Sequence, residues 1–214
     1  MDERTLSSLD QVLAGINKAL TTVAKPAARV TREYPGENVP EASLSENDRK
    51  HAAALMRVNH AGEVAAQGLY QGHGAISRDI AIEKQMRQTA SEELDHLGWC
   101  EQRLDELGSR PSLLGPAWYS GAFAIGLLSG ALGDRWSLGF VEETERQVSD
   151  HLTGHLQSLP DADARSRAIV AQMRDEEERH GVNAKVAGAS ELPGPVKVAM
   201  RMVAKIMTRT AYWM

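Results

Sequence analysis

Residues 92–100 read EELDHLGWC, and eighty-four positions later residues 176–180 read EEERH. Both stretches contain Glu-x-x-His, as Glu93 with His96 and as Glu177 with His180. In a chain with 18 Glu and 7 His, about half a match arises by chance, so one copy carries little weight as a motif. On a helix, residues three apart project from one face a turn apart, so each copy can offer a carboxylate and an imidazole to the same small volume. Two copies become informative if the rest of the chain brings them together.

From Ser45 onward the sequence lacks strand-like alternation and is rich in helix punctuation. Ser45 with Asp48 marks an N-cap before HAAALMRVNHAGEVAAQGLYQGHGAIS, and the Ser77 to Asp79 region ends that helix and caps the next. The second helix is expected from Asp79 to Leu107, closed by Gly108 and Pro111. A third starts near Pro116, a favourable first-turn proline, and is expected to continue to Leu159. A fourth runs from Asp161 to Val186, and a last one from Val196 to Trp213. Long helices joined by short turns pack antiparallel, so the fold class is all-α, a four-helix bundle with added N-terminal and C-terminal amphipathic helices.

Height along the bundle now gives the repeat a meaning. Glu63 lies about fifteen residues before the first turn and Glu93 about fifteen after it, so at about 1.5 Å per residue the two are level. Taking Pro160 as the second turn, Glu142 is about eighteen residues before and Glu177 about seventeen after. Two Glu-x-x-His pairs and one further Glu from each partner helix make four carboxylates and two imidazoles, the ligand set of di-iron and di-manganese bundles. Four buried carboxylates repel one another, and two divalent ions would neutralise them. Thiolate-free oxygen and nitrogen ligation suits iron or manganese, although ligand type alone does not separate them from zinc. The symmetry of the set gives Glu93 and Glu177 the bridging role, with Glu63 and His96 completing one metal and Glu142 and His180 the other. Their neighbours His60, Glu92, Glu143, Glu176 and Glu178 read as solvated or as outer partners of the ligands, and Cys100 as a core thiol.

Composition narrows the function. Of the 214 residues, 42% are hydrophobic and 25% charged, which suits one folded domain with a full core. The net charge of −5 argues against a general nucleic-acid binder. The single cysteine excludes intramolecular disulfides and Cys-x-x-Cys metal sites. Residues 1–44 divide from the rest as an amphipathic helix, with Leu6, Leu9, Leu13, Ile16, Leu20 and Val23 at helical spacing, followed by a proline-containing linker; residues 45–214 form the domain. The acidic start and the lack of a continuous apolar core do not read as an export signal.

RVNHAGEVAA, EELDHL, the uncharged run leading into VEET, and RDEEERHG, in that order and at those distances, closely resemble the bacterial members of the Coq7 family, the demethoxyubiquinol hydroxylases of ubiquinone biosynthesis. The resemblance covers Ser45 to the C-terminus. It implies a ferritin-like di-iron monooxygenase that inserts one oxygen atom from O₂ into the ring of a polyprenylated methoxy-benzoquinol, with metal ligands at Glu63, Glu93, His96, Glu142, Glu177 and His180. Some members carry a His-Tyr pair about two turns after the third-helix ligand; here that stretch is ERQVSDHL. Reducing equivalents must come from an external donor or the quinol itself. The sequence has no dinucleotide Gly-rich fingerprint, which leaves open NADH bound without that fold.

A polyprenyl quinol resides in a bilayer, and two features suit contact with one. The run PSLLGPAWYSGAFAIGLLSGALG, residues 111–133, has no charge but is broken by prolines and glycines, so it reads as a lipid-facing or channel-lining helix end rather than a span. In the last helix Lys197, Arg201, Lys205 and Arg209 form a basic stripe opposite Val196, Met200, Val203, Ile206 and Met207, with Tyr212 and Trp213 at the end. That pattern suits an anionic membrane interface. The expected location is therefore peripheral, on the cytoplasmic face of the bacterial cell membrane, with a homo-oligomer or an association with other ubiquinone-biosynthesis proteins left open. The competing readings are an iron-storing or peroxide-detoxifying ferritin- or rubrerythrin-like protein and a non-enzymatic helical membrane adaptor.

Overall fold

A computed structural model describes residues 30–214. Six helices follow in order, with no strand among the described residues: α1 (Glu46–Ile76), α2 (Ile80–Glu106), α3 (Gly115–Ala131), α4 (Asp134–Ser158), α5 (Ala164–Val186) and α6 (Gly194–Trp213). The expected amphipathic helix at the N-terminus lies outside the described residues.

The bundle consists of α1 with α2 and α4 with α5, the pairs meeting through α2 against α5 and α1 against α4. Local chemistry sets the turns. The Ser45 hydroxyl accepts from Asp48 N to start α1, and the Asp79 carboxylate accepts from Ala81 N and Ile82 N to start α2; each satisfies amides that the first turn cannot pair internally. Gly108 ends α2 with φ +69°.

The expected single helix from Pro116 to Leu159 is instead two. Gly133 takes φ +111°, a conformation that L side chains rarely adopt and that breaks the helical path. Just beyond it, the Asp134 carboxylate accepts from Ser77 Oγ and Asp79 N, fastening the start of α4 to the α1–α2 turn. The uncharged run thus becomes a separate helix, α3, which runs alongside α1 in the same direction. Glycines allow the backbones to touch: a Cβ on Gly68 would lie 2.4 Å from Tyr119 O, on Gly72 2.4 Å from Phe123 O, and on Gly126 2.4 Å from Leu69 O.

The largest apolar cluster fills the end of the bundle below the site and includes Met56, Trp99, Cys100, Leu104, Leu152, Ile169 and Met173. Residues 30–44, read as a linker, form no helix or strand, yet they are pinned to the bundle. Tyr34 is buried and donates to Glu106. Glu41 pairs with the buried Arg103, which also pairs with Asp163 at 2.8 Å.

Helix α6 runs over α1 and touches α4. Only Ala211 in it is buried. Part of its basic stripe faces protein: Lys197 and Arg201 approach Glu143 at 3.9 and 3.8 Å. Glu143, expected to be solvated or beside the ligands, is buried and helps hold α6. Lys205 and Arg209 are exposed, as are Val198, Met202, Val203 and Ile206.

Candidate metal centre

Two overlapping groups of buried side chains lie across the middle of the bundle, each with ligand atoms within 4.8 Å of one another: Glu63, Glu93, His96 and Glu177, and Glu93, Glu145, Glu177 and His180. Glu63 comes from α1, Glu93 and His96 from α2, Glu145 from α4, and Glu177 and His180 from α5. Glu93 and Glu177 belong to both groups.

The structure brings together five of the six expected ligands. Glu142 is not among them: it is half-buried, while Glu145, one helical turn later, takes the place on α4. The reason lies in the turn. With α4 ending at Ser158 and α5 beginning at Ala164, the connection is centred near position 161 rather than at Pro160. Glu145 and Glu177 are then equidistant from its centre, and Glu142 sits about one turn further away.

Both imidazoles point Nδ1 into the centre. His96 Nδ1 is 2.9 Å from Glu93 Oε2 and 3.1 Å from Glu177 Oε1. His180 Nδ1 is 2.9 Å from Glu93 Oε1 and 3.4 Å from Glu177 Oε2. The outer nitrogens are held by the extra glutamate of each repeat, in a crossed arrangement: His96 Nε2 meets Glu176 at 2.7 Å and His180 Nε2 meets Glu92 at 2.8 Å. An outer carboxylate on the far nitrogen fixes the ring and raises its basicity as a ligand. The sequence signal for these partners is the doubled Glu in EELDH and EEERH, each supplying one inward and one outward carboxylate. Of the remaining neighbours, His60 is buried away from the charged group and Glu178 is exposed.

Charge is balanced by protons. Burial, followed by the fields of Glu93 and Glu177, pushes the Glu63 carboxyl well up; burial with Glu177 and Glu93 does the same to Glu145, which accepts a hydrogen bond from Tyr70. Burial alone would raise Glu93 too, but His96 and His180 hold it well below the usual range. Glu177 is likewise lowered, against burial and Glu93, by hydrogen bonds from His180 and His96. Burial opposes the charged form of both histidines, yet the carboxylates win, raising His96 strongly and His180 to about 12. Two cationic imidazoles, two carboxylates and two neutral carboxyls therefore sum to zero.

This donor set fits two divalent cations. Four carboxylates and two Nδ1 atoms converge, and Glu93 Oε1 is buried without a properly directed hydrogen bond. Replacing four protons with two dications preserves the charge balance while giving every inward lone pair an acceptor. Oxygen-rich ligation with two imidazoles and no thiolate suits iron or manganese, as it does zinc.

Comparison with known proteins gives the family. The family model described as "Ubiquinone biosynthesis protein COQ7" matches residues 50–211. The 3-demethoxyubiquinol 3-hydroxylase of Chromobacterium violaceum is 52% identical over 204 residues, covering 95% of this chain and 98% of that protein. The enzymes of the same name from Ralstonia pickettii and Dechloromonas aromatica are each 54% identical, covering 95% and 96% of this chain and 99% of each relative.

Proposed function

This chain belongs to the COQ7 family of ubiquinone-biosynthesis proteins, and on that premise we propose that it is the di-iron monooxygenase that hydroxylates the ring of a polyprenylated 6-methoxy-3-methyl-1,4-benzoquinol. The observation that carries the reading is the pair of overlapping carboxylate and histidine groups sharing Glu93 and Glu177. Glu63, Glu93, His96, Glu177 and His180, with one carboxylate from α4, would hold the two irons. That carboxylate is Glu145 by geometry and Glu142 by family resemblance. Iron held by these residues and reduced by an external donor such as NADH would supply the electrons needed to activate O₂ for insertion of one oxygen atom into the quinol ring.

The chain's own contribution is placement and dryness. The crossed carboxylates set the orientation of both rings. Tyr70 holds Glu145, and Gln67 donates to Ala90 O, tying α1 to α2 beside the site. Buried Val64 of α1, Leu97 of α2 and Tyr119 of α3 pack as one apolar cluster, Val64 and Leu97 being the chain neighbours of Glu63 and His96, and this helps keep bulk water from a reactive centre.

The substrate argues for a peripheral position on the cytoplasmic face of the cell membrane. No helix among the described residues is long and apolar enough to cross a bilayer. Helices α3 and α6 flank α1 and expose Leu128, Met202, Val203 and Ile206, with Leu113 and Leu132 exposed just beyond the two ends of α3, and Lys205, Arg209 and Trp213 are available to headgroups. Iron storage gives no reason for such a surface. The test is quinone extraction from cells lacking the protein: accumulation of the demethoxy precursor, rescued by wild type but not by Glu177→Ala, is expected. Normal ubiquinone with no precursor would refute the assignment.

A further inference from the structure

The two halves of the centre are built alike around their histidines but are braced differently. Around His96 everything is locked. Its outer partner Glu176 is buried and receives the Arg32 guanidinium at 2.6 Å. The same guanidinium donates from Nε to Asp95 at 2.6 Å and from Nη2 to Glu92 O at 3.2 Å, and it lies 4.7 Å from the Trp99 ring centre. Trp99 in turn packs 5.3 Å from His96, centre to centre. One side chain thus touches the outer carboxylate, the preceding residue and the aromatic neighbour of a single histidine. Thr31 N donates to Asp95 as well, so the segment is fixed at two consecutive residues.

Around His180 the bracing is slight. Its outer partner Glu92 is 29% exposed; apart from His180 itself, the side chain donating to that carboxylate among the described residues is exposed Gln88, at 3.3 Å, and Arg32 reaches only the Glu92 main-chain oxygen. No Lys or Arg side chain pairs with that carboxylate among the described residues.

We infer that Arg32 is a positioning residue which, by clamping Glu176, Asp95 and Trp99 around His96, makes the His96 half the slowly exchanging metal position and leaves the His180 half readily exchanged. The inference rests on the dinuclear reading above. The physical argument is that a metal leaves when its ligands rotate away, and an outer partner that is buried and multiply held blocks that rotation, whereas an exposed one permits it. Arg32, Trp99 and Glu176 also line a surface cavity of about 380 Å³, so shortening residue 32 opens that cavity toward His96 and loosens this half specifically.

The test uses the full chain loaded with two equivalents of cobalt(II), whose visible bands report the ligand field, followed by excess chelator. Wild type is expected to release the metal in two phases of about one ion each. Arg32→Gln should accelerate the slow phase about 10- to 100-fold and leave the fast phase unchanged, in line with the usual cost of losing an outer partner. Arg32→Lys keeps the charge but loses the fork that reaches Asp95 and Glu176 together, and so should restore the slow phase only in part. Glu92→Gln should affect the fast phase alone. Tyr34→Phe, which loosens the same segment without touching Glu176, should change neither phase. If Arg32→Gln does not fold, Glu176→Gln removes the same ion pair with little change of shape and should again accelerate the slow phase. Two ions leaving at one rate, or an Arg32 variant speeding both phases equally, overturns the inequality while leaving the dinuclear centre intact. Failure to bind two ions at all refutes the centre and the inequality with it.

Discussion

Metal-free protein is expected to lose stability as pH rises above about 7, the reverse of ordinary acid sensitivity. In the folded chain without metal, His96 and His180 are cationic and Glu63 and Glu145 are held neutral by burial and neighbouring carboxylates. In the unfolded chain near pH 8, imidazoles with a pKa of about 6.5 are neutral and carboxylates are ionised. The native state therefore binds up to four more protons. For a group whose folded pKa is raised, stability is fully present below the unfolded pKa and is lost as pH climbs toward the folded one. Each such proton tilts stability by about 1.4 kcal/mol per pH unit. The two histidines alone give about 2.7 kcal/mol per unit, a window that for His180 extends to about 12. Against a typical total of about 5 to 15 kcal/mol, two pH units above neutrality remove a large share.

Below about pH 6.5 other groups act in the opposite sense. Burial lowers His60 and His73 to about 4 and, with His151 and His51, lowers His155 to about 3, so these contribute stability as pH rises from that range toward 6.5. A stability maximum near neutrality follows for the metal-free chain. Loading with two divalent ions displaces the protons and should abolish the alkaline loss. The assay is urea unfolding followed by far-UV circular dichroism between about pH 7 and 9, with chelated and loaded samples compared. A metal-free stability that stays flat or rises across that window would show that the centre is not held together by protons, and the charge accounting would fail.

Three further outcomes are expected. Glu145→Gln should lower bound metal from about two ions per chain to about one while Glu142→Gln leaves it unchanged; the opposite result, read by metal analysis, assigns the α4 ligand to Glu142 and requires α4 to shift by a turn on loading. Gly72→Ala, whose Cβ would meet Phe123 O at 2.4 Å, should destabilise by about 1 to 3 kcal/mol despite its better helix propensity, whereas Gly154→Ala, with open space around it, should stabilise by up to about 1 kcal/mol in thermal melts. Arg103→Met strands the buried Asp163 carboxylate and should cost about 3 to 5 kcal/mol in urea unfolding.

The sequence by itself determined the helices whose ends carry local chemistry. Ser45, Asp79 and Gly108 act within one turn of themselves, so their effects can be read without knowing the rest of the molecule. It also determined that Glu93, His96, Glu177 and His180 share a level, because spacing along a helix is a length and a level follows from lengths. Other features depended on angles and neighbours. Whether residues 116–159 form one helix or two turned on the backbone of Gly133, whose φ of +111° is permitted by its lack of a Cβ but not required by it. That break, together with a turn centred beyond Pro160, placed Glu145 rather than Glu142 in the buried carboxylate and histidine group, since one turn along a helix moves a side chain by about 5 Å and decides what it meets. Arg32 lies in a stretch with no periodicity at all, and its partners Glu92, Asp95, Trp99 and Glu176 are sixty or more residues away in the chain. Only tertiary packing brings a charge so far from its partners in sequence to the one histidine that it braces.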